Sequence, residues 1–440
     1  MAGDLALRSD VYSWGRYPRH RHHVHALWDR HQRVPAFPAP TLPYGNGRSY
    51  GDVCLNDGGV LLHTRRLDRF IAMDANRGLL TCESGVTLEE VLDLIVPMGW
   101  FLSVTPGTKF VTVGGAIAND VHGKNHHRVG TFAHFVRGFE LLRSDGQRMV
   151  CSRGENAEWF AATVGGLGLT GVITWAELEL RPIHNPWLAS ETIRFFDLKE
   201  FMSLAAESER DYEYTVAWID CADRGARGRG LFMRANHASE REELLPAEPG
   251  RKHALRIPVT PPFALFNRAT VSILNRAYFR ATRTSRSKLV HYDAFFYPLD
   301  SVLEWNRLYG RRGFLQYQCV VPLTGATEAL GHLLARIAQG GNGSFLTVLK
   351  TFGDRPPDGL LSFPRSGVTL AMDFPISGQE TYDLLTELDR IVMDAGGAVY
   401  PAKDARMSSR AFHAGFPHVD RFIPFVDPGF SSSFWRRMGH

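Results

Sequence analysis

No run of apolar residues in this 440-residue chain reaches the eighteen or so that would cross a bilayer, so the sequence offers no membrane-spanning helix. The opening MAGDLALRSDVYSWGRYPRHRHHVH has no apolar h-region and no small-residue cleavage site, which argues against secretion and for a cytoplasmic protein. Cysteine is scarce: Cys54, Cys82, Cys151, Cys221 and Cys319 stand singly, with no CxxC and no repeated spacing. That pattern suggests neither a disulfide framework nor a zinc site, and fits reduced thiols. Internal repeats and low-complexity tracts are missing too. Acidic residues are absent from Arg251 to Val290, where nine Lys and Arg fall, although the whole chain carries a formal charge of only +4. The remainder is therefore net acidic, and this local asymmetry matters more than the total.

What is present is the composition of a soluble globular protein, 44% apolar and 22% charged, in a chain long enough for two domains. In the first half, strand-like GGVLLHT (58–64) and GLLTCESGVT (78–87) precede a helix, LEEVLDLIVPMG (88–99). A hairpin with Asp145-Gly146 at its turn follows at 135–152, then a helix at 156–166 and a strand at 171–183. Pro182 and Pro186 punctuate a domain boundary. The second half is an α+β pattern, with strands at 215–220, 314–322, 343–352 and 367–376 and helices at 326–339 and 379–397. The basic 251–290 segment interrupts that pattern as an excursion.

Glycine concentrates in three places. Gly166-Leu-Gly168-Leu-Thr-Gly171 satisfies GxGxxG, but a dinucleotide fingerprint needs strand, glycines, helix, and here the helix comes first. A Rossmann site is rejected. A glycine-lined approach to a cofactor in another fold survives, since a backbone without Cβ atoms lets a flat, charged ligand come close. Tyr44-Gly-Asn-Gly-Arg-Ser-Tyr-Gly-Asp52 is suited to cradling a pyrophosphate. Pro106 to His127, PGTKFVTVGGAIANDVHGKNHH, reads as one wall of a nucleotide-cofactor cleft. Its His122, Lys124, His126 and His127 are poorly spaced for a metal and have no acidic ligand nearby, so no metal is expected.

These motifs are similar to the flavin-binding domain of the vanillyl-alcohol-oxidase-type (PCMH-type) flavoproteins. With EWNRLYG (304–310), GFLQYQ (313–318), FLTVLKTFG (345–353), MDFPI (372–376) and YPAKDAR (400–406), the match runs in order from about residue 45 to 420. It resembles the decaprenylphosphoryl-β-D-ribose 2′-oxidase family within that group. The resemblance implies an α+β fold in which a two-subdomain FAD-binding domain, 1–183 completed by 399–440, meets an α+β cap domain, 184–398, built on a central antiparallel sheet. It places FAD against Gly45, Asn46, Gly47, Arg48, Ser49, Gly51, Asp52, Gly107, Thr112, Val113, Gly114, Gly115, Asn119, Asp120, Val121, His122, Ile173 and Tyr400. Relatives that bind flavin covalently through the first loop carry a histidine there; Arg48 in its place implies noncovalent FAD.

Oxidising a secondary alcohol needs a hydride acceptor, which a flavin supplies, and a group that takes or stabilises the hydroxyl proton. Lys403, at the lysine of the family's AKD motif, is the implied group, acting as a base if neutral or stabilising the alkoxide if charged. The competing reading is a surface lysine paired with Asp404. His122 and Tyr50 complete the implied catalytic set, with His126 and His127 read as ordinary hydrogen-bonded structure. Lys124, Gln316, Gln318, Lys350 and Ala371 are the implied substrate contacts, Lys350 being suited to a phosphate. Three departures stand out: Thr369-Leu-Ala371 replaces the usual N-x-C, Phe296 replaces a tyrosine, and the stretch before NGRSYGD is short. The implied reaction turns the ribose 2′-OH of a polyprenyl-phosphate ribose into a ketone, which a short-chain reductase then reduces, giving net epimerisation for cell-envelope glycans. An alditol or aldonolactone oxidase, or a flavin-dependent reductase of cell-wall precursors, remains the alternative. The basic excursion, with Phe263, Leu265, Phe266, Val271, Ile273, Leu274, Tyr278 and Phe279 among its arginines, is read either as a peripheral contact with the inner membrane face or as a solvated loop, rather than a nucleic-acid site.

Overall fold

Alternating apolar and turn residues in the first half resolve into two sheets. The computed structural model describes residues 6–221, 228–239, 255–265, 268–282, 284–340, 344 and 346–440. Arg251, Lys252, Phe266 and Arg283 of the basic segment, and Gly343 and Phe345 of the expected 343–352 strand, lie outside the described residues.

Strands β1 (His23–Ala26), β2 (Thr41–Tyr44) and β3 (Val60–His63) form a parallel sheet in the order β1-β3-β2. The next six are β4 (Phe70–Asp74), β5 (Leu79–Glu83), β6 (Trp100–Leu102), β7 (Val136–Leu142), β8 (Arg148–Ser152) and β9 (Val172–Pro182). They form an antiparallel sheet, β4-β5-β9-β7-β8, with β6 also on β9. Helix α1 (Leu88–Ile95) sits where the sequence predicts it: Thr87 and Glu90 form a reciprocal capping box, and Gly99 ends the following turn at φ 80°. Helices α2 (Val113–Ala118) and α3 (His126–Val129) lie in the glycine- and histidine-rich stretch, and α4 (Ala157–Thr163) precedes β9. The helix-before-strand order around Gly166 to Gly171 is thus the one the sequence indicates.

In the second half, β10 (Trp187–Phe195), β11 (Tyr214–Ile219), β12 (Gly230–His237), β13 (Leu255–Arg256), β14 (Ser285–His291), β15 (Val302–Leu303), β16 (Phe314–Val321), β17 (Thr347–Phe352), β18 (Gly367–Pro375) and β19 (Ala398–Val399) follow. Eight of them make one antiparallel sheet, β14-β10-β12-β11-β17-β18-β16-β19, while β13 and β15 pair in parallel. The helices here are α5 (Leu198–Ser208), α6 (Arg268–Ala281), α7 (Tyr292–Phe296), α8 (Ala326–Gly340) and α9 (Gln379–Asp394). The basic excursion contributes α6, which buries Val271, Asn275 and Phe279 at a four-residue spacing and leaves Ile273 and Leu274 exposed. Hydrophobic clusters cross residue 183: Leu42 and Leu61 share a core with Leu315, Phe374 and Phe412, and Leu178 shares one with Leu188 and Phe296. Among the described residues no helix is long and apolar enough to cross a membrane.

Candidate active site

A cavity of about 930 Å³ runs between the glycine loops and the large sheet, at the upper end of the usual range for ligand pockets. The glycines explain how tightly its walls are drawn. A Cβ on Gly45 would stand 2.4 Å from Thr112 Oγ1, and one on Gly51 would stand 1.7 Å from the Asp404 carbonyl. The first loop is thereby pressed against both the 112–115 segment and the 401–404 turn. Gly107 also lines the cavity, and a Cβ there would meet nothing within 4 Å, so that side is open to a ligand. Arg48 lies over the Trp14 ring at 4.1 Å and near Phe110 at 5.0 Å. Arg48 Nε, Ser84 Oγ and Asn119 Oδ1 are buried in residues lining the cavity with no hydrogen-bond partner among the described residues. Buried polar groups left open in this way suit a ligand rich in phosphate, hydroxyl and ring-nitrogen atoms.

Four elements converge at one end. The β16–β18 pairing sets Gln316 opposite Asp373 and Gln318 opposite Ala371, and β17 brings Lys350 beside Thr369. His122 bridges Gln318 Nε2 (2.9 Å from its Nε2) and Lys350 Nζ (3.1 Å from its Nδ1). Burial, then the neighbouring Lys350, pushes the His122 imidazole well below its usual range, so the ring is neutral. A neutral ring presents one donor and one acceptor nitrogen, and these two contacts engage both of them. Lys350 Nζ also donates to the Gly123 carbonyl at 3.4 Å, and burial pushes the amine down to about 7. Lys403 Nζ stands 3.9 Å above the centre of the Tyr50 ring and is also pushed to about 7 by burial, against an opposing pull from Asp373. Lys124 donates to the Phe295 carbonyl and packs over the Phe295 ring at 4.4 Å; burial lowers it to about 7 as well. The site is thus equipped to exchange protons with a polar ligand near neutral pH.

The pairing of Lys403 with Asp404 is not what the structure adopts. Asp404 accepts from Arg437 Nη2 at 2.9 Å and from the Arg406 and Met407 N–H groups, leaving Lys403 to face the cavity. Tyr50, His122, Lys124, Gln316, Gln318, Lys350, Ala371 and Lys403 all line the one cavity, as do Gly45, Asn46, Gly47, Arg48, Ser49, Gly107, Thr112, Gly114, Gly115, Asn119, Val121, Ile173 and Tyr400. Four of the expected cofactor positions lie behind its wall. Gly51 packs on the Asp404 backbone, Asp52 binds Arg437 at 2.7 Å, Val113 is core, and Asp120 accepts from Ser362 Oγ at 2.5 Å and Ala133 N at 3.2 Å. His127 is hydrogen-bonded, to the Tyr212 carbonyl at 3.0 Å. His126 departs from the expectation for it: its ring lies 4.3 Å from that of Phe352, with both nitrogens unpartnered among the described residues. Sequence reading missed Asp373, a buried carboxyl in the cavity wall. The signal was available, since it lies two residues after Ala371 on the same strand and so shares its face.

A model of the FAD binding domain family matches residues 17–152. The chain is 37% identical over 409 residues to a decaprenylphosphoryl-β-D-ribose oxidase of Mycolicibacterium smegmatis, covering 90% of this chain and 88% of that one. The chain belongs to that oxidase family. It is an FAD-dependent oxidoreductase. Similarity to other enzymes is narrower. An L-gulonolactone oxidase of Mus musculus is 31% identical over 140 residues, 31% of each chain. A Delta(24)-sterol reductase of Homo sapiens is 30% identical over 112 residues, 26% of this chain and 22% of that one. Ala371, where the resemblance implies a cysteine, lies in the cavity wall opposite Gln318. Inhibitors that need that thiol are expected to form no adduct at Ala371, as intact-protein mass spectrometry would show, while Ala371→Cys should gain one.

Proposed function

We propose that this oxidoreductase converts a sugar secondary hydroxyl to a ketone, namely the 2′-OH of a polyprenyl-phosphate ribose, as the first half of an epimerisation that a short-chain reductase completes. The observation that carries the reading is Lys403: an amine held near neutrality, over Tyr50, in the same cavity as the glycine loops. When bound, FAD supplies the acceptor for the hydride that leaves the hydroxyl-bearing carbon. Its place is along Gly45 to Ser49, Gly107, Thr112, Gly114, Gly115, Asn119, Val121, Ile173 and Tyr400. Lys403 takes the hydroxyl proton onto Nζ as the carbonyl forms. His122, with both ring nitrogens engaged, acts through Gln318 and Lys350 by holding them in the cavity wall, and Lys350, Gln316 and Lys124 orient the sugar. Anaerobic flavin bleaching with a panel of lipid-linked riboses and free polyols tests this. Bleaching by the lipid-linked ribose alone is expected, and bleaching only by a free polyol would overturn the substrate assignment.

The flavin is expected to be held without a covalent bond, because Arg48 stands where a linking histidine would be. Acid precipitation should leave the yellow colour in the supernatant; a yellow pellet would contradict it.

The lipid half of the substrate is matched by the basic segment. Leu255, Phe263 and Ile273 are 65%, 67% and 68% exposed, beside Val259, Leu265 and Leu274. Arg256, Tyr278 and Lys288 of the same segment reach the cavity wall. An apolar and basic segment that reaches the cavity wall suits an anionic bilayer that presents a phosphorylated lipid. Vesicles containing phosphatidylglycerol should therefore sediment the protein. Phe263→Asp with Ile273→Asp should abolish this without changing turnover of a detergent-dispersed substrate.

A further inference from the structure

The carboxyl that sequence reading missed has no role in the chemistry above, yet it lines the same pocket. Asp373 is 1% exposed, and its Oδ1 accepts from Gln316 Nε2 at 2.6 Å. Its Oδ2 accepts from the Tyr309 hydroxyl at 3.3 Å, while its own N–H is tied to Ser344 Oγ at 3.2 Å. The antiparallel register places Gln316 and Asp373 directly opposite each other, so this contact is built into the sheet.

We infer that Asp373 is a positioning residue that fixes which end of the Gln316 amide faces the sugar, and hence which hydrogen-bonding sense the pocket offers to a substrate hydroxyl. An ionised carboxylate only accepts, so the Gln316 amide must turn its NH2 group toward Asp373 and leave Oε1 as the free end. The Gln316 amide adjoins the Tyr50 phenol, whose ring carries Lys403, in the wall of the same cavity. The pocket thereby demands a donor, a free hydroxyl, and disfavours an ether or carbonyl oxygen at that point. A protonated Asp373 could donate instead and would let the amide turn over. The titratable groups facing it are Tyr309, Tyr50 and Lys403; burial pushes the carboxyl up to about 7, and Lys403 opposes that.

The inference rests on the pocket binding a sugar but not on which sugar, so the test uses whichever compound of the panel bleaches the wild-type flavin. A wild type bleached only by a free polyol would sink the ribose assignment and leave this test intact. Asp373→Asn keeps an oxygen for Gln316 Nε2 but no longer dictates the sense of the amide. It is expected to raise KM about tenfold, as one misdirected buried hydrogen bond would. It should also flatten the dependence of KM on pH between about 6 and 8. In a Gln316→Ala background the same substitution is expected to change KM less than twofold, because an effect exerted through Gln316 vanishes with it. Equal effects in both backgrounds, or no effect in either, would overturn the inference. Thermal denaturation of each variant with its flavin content separates these results from loss of fold.

Discussion

Replacing Lys403 with methionine is expected to slow reduction of the bound flavin by about 10²- to 10⁴-fold, the usual worth of a positioned acid–base group. Methionine keeps the length and the apolar stem over Tyr50, so flavin content and melting temperature should stay near wild type. The pH profile gives the sign of the effect. Burial holds Lys403 at about 7, below the ordinary lysine range. The neutral amine is the form that accepts a proton, so kcat/KM should rise with pH through about 7 and level off above it. In Lys403→Met that rise disappears. A wild-type profile that falls above pH 7 would instead mark a charged ammonium stabilising the alkoxide. Anaerobic stopped-flow reduction across pH 5.5–9 distinguishes the two.

Asp404→Ala is expected to cost stability on the scale of about 3–5 kcal/mol, the range for breaking a buried charge pair. Asp404 is 3% exposed and holds Arg437 together with the backbone N–H groups of Arg406 and Met407. Its removal leaves Asp52 as the carboxylate partner of Arg437 and strands two backbone donors. The same turn carries Lys403 and presses on Gly51, so activity measured well below the melting temperature should drop as well. Asp394→Ala, in the exposed Arg390–Asp394 pair, is the control and should change little. Urea unfolding of both variants measures the difference; similar midpoints would show that Asp404 does not anchor the turn.

Much of this was legible in the sequence because the signals are local. The helix starting at Leu88, the hairpin at Gly146 and the helix starting at Gln379 each depend on residues within a turn or two, and all appear where expected. Ordered motifs brought most of the expected residues to one cavity, while Gly51, Asp52, Val113 and Asp120 lie outside its lining. In the fold those four form the rear of the wall, where close packing and paired charges are needed more than a ligand contact.

By itself the sequence determined the α+β pattern, the glycine loops that permit close backbone approach, the reversed order that rules out a Rossmann site, and the lysine in its motif. Those follow from chain chemistry over short spans. Only the tertiary structure decided the partners: Asp404 goes to Arg437 and frees Lys403, His122 sits between Gln318 and Lys350, and Asp373 faces Gln316 across a strand pair. The reason is that hydrogen bonding and desolvation depend on which side chains meet across long sequence separations, here 57 residues for Gln316 and Asp373 and 228 for His122 and Lys350. Register and packing set those meetings, and no local pattern encodes them.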